Sequence, residues 1–188
     1  MRRGKAMIND QTIGGARGGN RWRIAGWGLA VFLLVLPFVA MQMTNEVNWG
    51  PGDFVFAAIL FATVGFAIEF LVRMSDNAYY RWGAVMAVLA AFLTVWVNAA
   101  VGMIGDGDTI HVFLFGALLI LALIGSVAVR FRGRGMALVM LAVALGQVAI
   151  AASGLTIDPR GALLSMAFAA PWLLAAALFH AARPSRSA

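Results

Sequence analysis

Val112-Phe113-Leu114-Phe115-Gly116-Ala117-Leu118-Leu119-Ile120-Leu121-Ala122-Leu123 is a run of twelve residues with no polar side chain. A strand of a membrane β-barrel alternates apolar and polar positions, and this run does not. With Ile124–Val129 it reaches 18 residues, close to the roughly 20 that a helix needs to cross a hydrocarbon core of about 30 Å. The stretch therefore reads as a membrane-spanning helix. Five further stretches read the same way, giving spans at 24–43, 54–72, 83–104, 112–129, 136–157 and 161–180. The expected fold is all-α, a polytopic bundle of six transmembrane helices over residues 24–181. Residues 1–23 are expected to form a basic, disordered tail, because Gly14-Gly15 and Gly18-Gly19 disfavour helix. Residues 182–188 form a second short tail, and Met7 is an alternative start.

The composition agrees. Of 188 residues, 62% are hydrophobic and 12% charged, where a soluble domain is about half apolar and a quarter charged. A soluble globule of this composition would expose large apolar patches. Cysteine is absent, which excludes disulfides, thiolate metal sites, iron–sulfur clusters and a cysteine nucleophile. The linkers between spans hold ten, ten, seven, six and three residues. Such short connections make sequence neighbours antiparallel and leave no room for a soluble domain. Between the last two spans lie Asp158, Pro159 and Arg160, and proline bars one continuous helix there.

Charge gives the expected orientation. With the N-terminus cytoplasmic, 13 of the 14 basic residues fall on the cytoplasmic side and only Arg160 outside. That asymmetry is the positive-inside pattern. Glu46, Asp53, Asp106, Asp108 and Asp158 fall outside, and Trp22, Trp27, Tyr79, Tyr80 and Trp82 mark the inner interface. The net charge of +6 is thereby accounted for by topology and anionic lipid. The lipid bilayer is the expected partner, with a second copy or other membrane proteins beside it; nucleic acid is not. Abundant Arg, Ala and Gly point to a GC-rich bacterial genome, hence to a bacterial inner membrane with both termini cytoplasmic.

Polar groups within spans are few. Glu69 reads as a proton or cation site, or as a structural pair with Arg73 four residues on; the Glu-then-Arg spacing favours the pair. Asn98 and Gln147 could line a polar cavity or bond between helices, and the second reading is favoured. His111 and His180 sit at opposite rims, so they cannot clasp one haem, and a zinc site lacks ligands. No metal, cofactor or catalytic group is read. Ser126 lies in Ile-Gly-Ser-Val, without the Gly-x-Ser-Gly elbow of rhomboid-type intramembrane proteases. With Gly65, Ala87, Ala91, Gly125 and Gly146, it reads as a small residue for close helix approach. The richest face is the outer one, where Glu46, Asn48, Asp53, Asp106 and Asp108 could gather above Asn98 as a cation or cationic-ligand site. In the alternative, these are solvated loops and Asp53 is the N-cap of the second span.

Glu46-Val47-Asn48-Trp49 with Asp53-Phe54, then Trp96-Val97-Asn98 with Ala100-Val101-Gly102 and Ile104-Gly105, then Arg130-Phe131 with Gly135-Met136, resembles a family of small bacterial integral membrane proteins of unknown function. The resemblance covers roughly residues 44–150. It departs at Asp106-Gly107-Asp108-Thr109-Ile110-His111, a shorter loop than the family's. It implies topology and no activity. Two functions are carried forward. One is a non-enzymatic accessory or interaction subunit. The other is a small oligomeric transporter or channel with a polar path near Asn98, Gln147 and Glu69.

Overall fold

The computed structural model describes residues 4–44, 47–100, 102–105 and 109–182, with side chains from Trp22 onward apart from that of Thr109. The described residues form seven helices: α1 (Gly4–Met43), α2 (Pro51–Arg73), α3 (Ala78–Ala100), α4 (Thr109–Ala128), α5 (Gly133–Ser153), α6 (Pro159–Ala167) and α7 (Ala169–Ala181). No strand occurs among the described residues. Among the described residues six helical stretches are long and apolar enough to cross a membrane, α6 and α7 together making the sixth. Large side chains such as Phe113, Leu138 and Leu164 are 72%, 69% and 68% exposed. Lipid, not water, is the solvent that makes such a surface stable. The fold is all-α and the chain is a multi-pass membrane protein.

The chain divides into two units, residues 1–65 and 66–188. In the first, α1 runs back to Gly4 through both glycine pairs, where the sequence reading expects a disordered tail. Each interior glycine costs about 1 kcal/mol against alanine. Extending a helix already formed by the span avoids the nucleation cost, however, so the pairs weaken the helix without ending it. The second helix starts at Pro51, not Phe54, because proline suits the first helical position. Trp27 lies over Gly65, where an added Cβ would stand 3.0 Å from the indole.

In the second unit α7 packs against α3 and α5, and α5 packs also on α4 and α6. Ala84, Ala87 and Ala90 of α3 and Ala144 of α5 are buried with Trp172 and Phe179 of α7. The small residues bring the backbones close, and the two rings fill the space between them; in lipid this packing is what holds helices together. Gly83 faces Phe179, Gly125 faces Val139 and Gly146 faces Leu118, with added Cβ atoms at 3.2, 3.2 and 2.6 Å. One end of this unit is basic, carrying Arg81, Arg130, Arg132 and Arg134; the other carries Asp158.

Helix ends follow capping rather than apolar content. Asn77 Oδ1 accepts from the Tyr79 and Tyr80 amides at 2.9 and 3.3 Å and starts α3 five residues before Gly83. The helix stops at Ala100, not Ile104, because Gly102 turns left-handed (φ 70°) while its amide donates to Asn98 O. Pro171 has no N–H to give Ala167 O, and the last span breaks at Phe168.

Candidate functional site

The acidic end of the second unit is where its polar groups gather. Asp158 is the N-cap of α6, with Pro159 at the first helical position. Its Oδ1 accepts from the Gly161 amide at 2.9 Å. Its Oδ2 accepts from the Gly105 amide at 3.2 Å, fifty-three positions earlier in the chain. Gly105 is itself left-handed, with φ 59°. Foremost the Gly161 amide, then that of Gly105, hold the carboxyl below the usual aspartate range. Gly161 cannot carry a side chain here, since a Cβ would run into the Asp158 carboxylate and stand 2.8 Å from Met103 O.

Deeper in the unit, Ser165 Oγ donates to Met103 O at 2.9 Å, and Gln147 Nε2 donates to Ser165 O at 3.1 Å. The loop after α3 is thus tied to α6, and α6 to α5. Met103, Ile104 and Phe115 pack as a small buried cluster beside these bonds. His111 is 4% exposed and pairs through Nε2 with Ser153 Oγ at 3.2 Å. Because the Ser153 hydroxyl donates to Ile150 O, the histidine Nε2 carries the hydrogen of that pair.

Of the residues expected from sequence, Gln147 is fully buried and bonds between helices, as its amide reading anticipates. Asn98 is partly buried, and its Nδ2 donates to Thr94 O at 2.9 Å within its own helix, not between helices as its favoured reading expects. Glu69 forms the expected ion pair with Arg73 at 3.2 Å, the two side chains 21% and 67% exposed. That pair lies on the turns of α2 beside Phe131, in the basic-end linker, because Phe70 and Phe131 rings meet edge to face at 5.9 Å. Glu69 therefore sits towards the opposite end from Asn98 and Gln147. Asp53 is not the N-cap of its helix. It is the third helical residue, and its Oδ2 accepts from the Gly50 amide at 2.8 Å, the reaching-back half of a capping box. Asn48 is exposed. Glu46, Asp106 and Asp108 lie outside the described residues, and with them the expected acidic rim.

Sequence reasoning missed the Asp158 clamp, Ser165 and the His111–Ser153 pair. Asp158-Pro159-Arg160-Gly161 did carry a signal for the cap, an aspartate before a helix-starting proline with glycine three positions on. Nothing local pointed to Gly105. Among the described residues no three His, Asp or Glu side chains lie close enough to hold a metal ion. Comparison of the chain with protein-family models, with functionally characterised proteins and with solved structures gave no match.

Proposed function

We propose that the chain is a non-enzymatic accessory or interaction subunit of a bacterial inner membrane, both termini cytoplasmic. The observation that supports this most is how the polar side chains of the spans are used. Thr94, Asn98, Ser126, Gln147, Ser153 and Ser165 each donate to a backbone carbonyl, and Glu69 is paired with Arg73. The bonds of Gln147 and Ser165 tie separate elements together and the other four donors turn back onto their own helices, so these donors serve the fold. The resemblance of residues 44–150 to small bacterial membrane proteins is part of the same proposal and adds no chemistry.

The test starts from the full chain extracted from its own membrane in native nanodiscs. The expected result is a particle of fixed stoichiometry containing a second membrane protein, whose abundance falls when this chain is deleted. A lone species that makes proteoliposomes permeable to a small solute would instead establish the transport reading.

A further inference from the structure

Three buried polar atoms of the described residues have no hydrogen-bond partner in the protein: Asn98 Oδ1, Gln147 Oε1 and Trp172 Nε1. Such atoms are rare in folded proteins, and each calls for a physical account. They are not scattered. All three belong to α3, α5 and α7, the helices that form the core of the second unit.

Their depth follows from contacts that bracket them. Gly83 of α3 and Gly133 of α5 both lie against Phe179 towards the basic end. Met103, just past α3, and Gln147 of α5 both bond to Ser165 towards the acidic end. Asn98, about one turn before the loop that holds Met103, therefore falls near the level of Ser165 and Gln147. Trp172 lies about two turns further along the last span, and a helical side chain leans back towards its own N-terminus, here towards Ser165. Its ring belongs to the same buried cluster as Val143 and Ala144, which stand one turn from Gln147 on α5.

Chemistry narrows the occupant. Gln147 is wholly buried and Trp172 is 2% exposed. One presents an acceptor and the other a donor. Exchanging the O and N of Gln147 would set two oxygens against each other at Ser165, so the acceptor is fixed in place. Asn98 adds a second acceptor. The ionisable groups His111 and Asp158 of this end already hold partners. A neutral species that both gives and takes hydrogen bonds fits two acceptors and a donor; an ion of either sign does not. We propose that this half of the unit binds ordered water between α3, α5 and α7, which pairs with Gln147 Oε1, Trp172 Nε1 and Asn98 Oδ1. Buried waters of this kind complete polar networks and are retained because removing them leaves the groups unpaired. The inference stands apart from the accessory role and holds whatever the chain associates with.

The experiment uses the uniformly 15N-labelled full chain in lipid bilayers and reads polarisation transfer from water to protein by solid-state NMR. The Trp172 Nε1–H signal is assigned by its loss in Trp172→Phe. It should build up from water at least about ten-fold faster than the amides of Ala90 and Ala175, both 0% exposed. Build-up as slow as those amides overturns the proposal. A second measurement replaces Trp172 with benzothienylalanine, an indole isostere lacking the N–H. Loss of a hydrated donor should lower Tm by about 2–4 °C. A rise in Tm would mean the N–H is a dry, unpaired group whose removal relieves the fold, and the water site does not exist.

Discussion

Asp158 does three jobs with one carboxylate: it caps α6, holds a left-handed glycine and excludes any side chain at position 161. Gly161→Ala should therefore lower stability by about 1–3 kcal/mol, read as a shift in thermal midpoint in detergent, the range for a forced overlap in a packed site. Titration gives a second reading. The folded-state pKa of Asp158 is lowered, so its contribution is fully present above the ordinary aspartate pKa near 4 and is lost as pH falls through the lower folded value. Wild type should lose thermal stability on going from pH 5 to pH 3 by more than Asp158→Asn does; equal losses would remove the clamp from the account. The Glu69–Arg73 pair is a smaller matter. With Arg73 67% exposed, Glu69→Gln should cost about 0.5 kcal/mol, and adding Arg73→Gln should cost little more. The pair was legible at four-residue spacing, and so was the helix-bonding role of Gln147. The Asp158 clamp was not, since its second partner comes from a loop that only the tertiary fold brings near.

Among the elements, the linker between α4 and α5 carries backbone strain. Arg130 and Phe131 both adopt left-handed backbone, φ 53° and 54°, which costs a residue with a Cβ about 1–2 kcal/mol. Three bonds hold them there: Arg130 N–H to Val127 O, Phe131 N–H to Ser126 O, and Tyr80 Oη–H to Phe131 O at 2.8 Å. Arg130→Gly should raise the unfolding midpoint, by about 1 kcal/mol of relieved strain, because glycine takes this conformation freely. Tyr80→Phe should lower it by about 1 kcal/mol. The existence of every span could be read from apolar length. The ends could not, because Asn77, Pro51 and Gly102 set them through caps and backbone conformation while the apolar run continues or starts elsewhere. The break at Phe168 follows from Pro171, whose missing N–H acts one turn upstream of where the proline stands.

For the molecule as a whole, the proposed orientation rests on the 13-to-1 division of basic residues. Single cysteines at Asn45 and Thr156 should react with a membrane-impermeant thiol reagent on intact cells, and one at Gly133 should not. Thr156 is exposed and spares the Asp158 carboxylate. Labelling at Gly133 alone would turn the chain over. Multi-pass character was legible because composition dictates it. Which polar groups meet was not, because residues as distant in sequence as Gly105 and Asp158 are joined only when the helices pack.

That packing also has a clock. The last span, with Trp172 and Phe179 filling the alanine-lined faces of α3 and α5, is made after both of them. At about 5–20 residues per second, roughly 80 residues separate the end of α3 from the end of α7, a delay of about 4–16 s. During it Met103 O and Gly105 N–H lack the partners that Ser165 and Asp158 later bring. A ribosome that stalls in this window leaves a nascent chain with an open seam, which is the state an insertion chaperone or a membrane protease would meet.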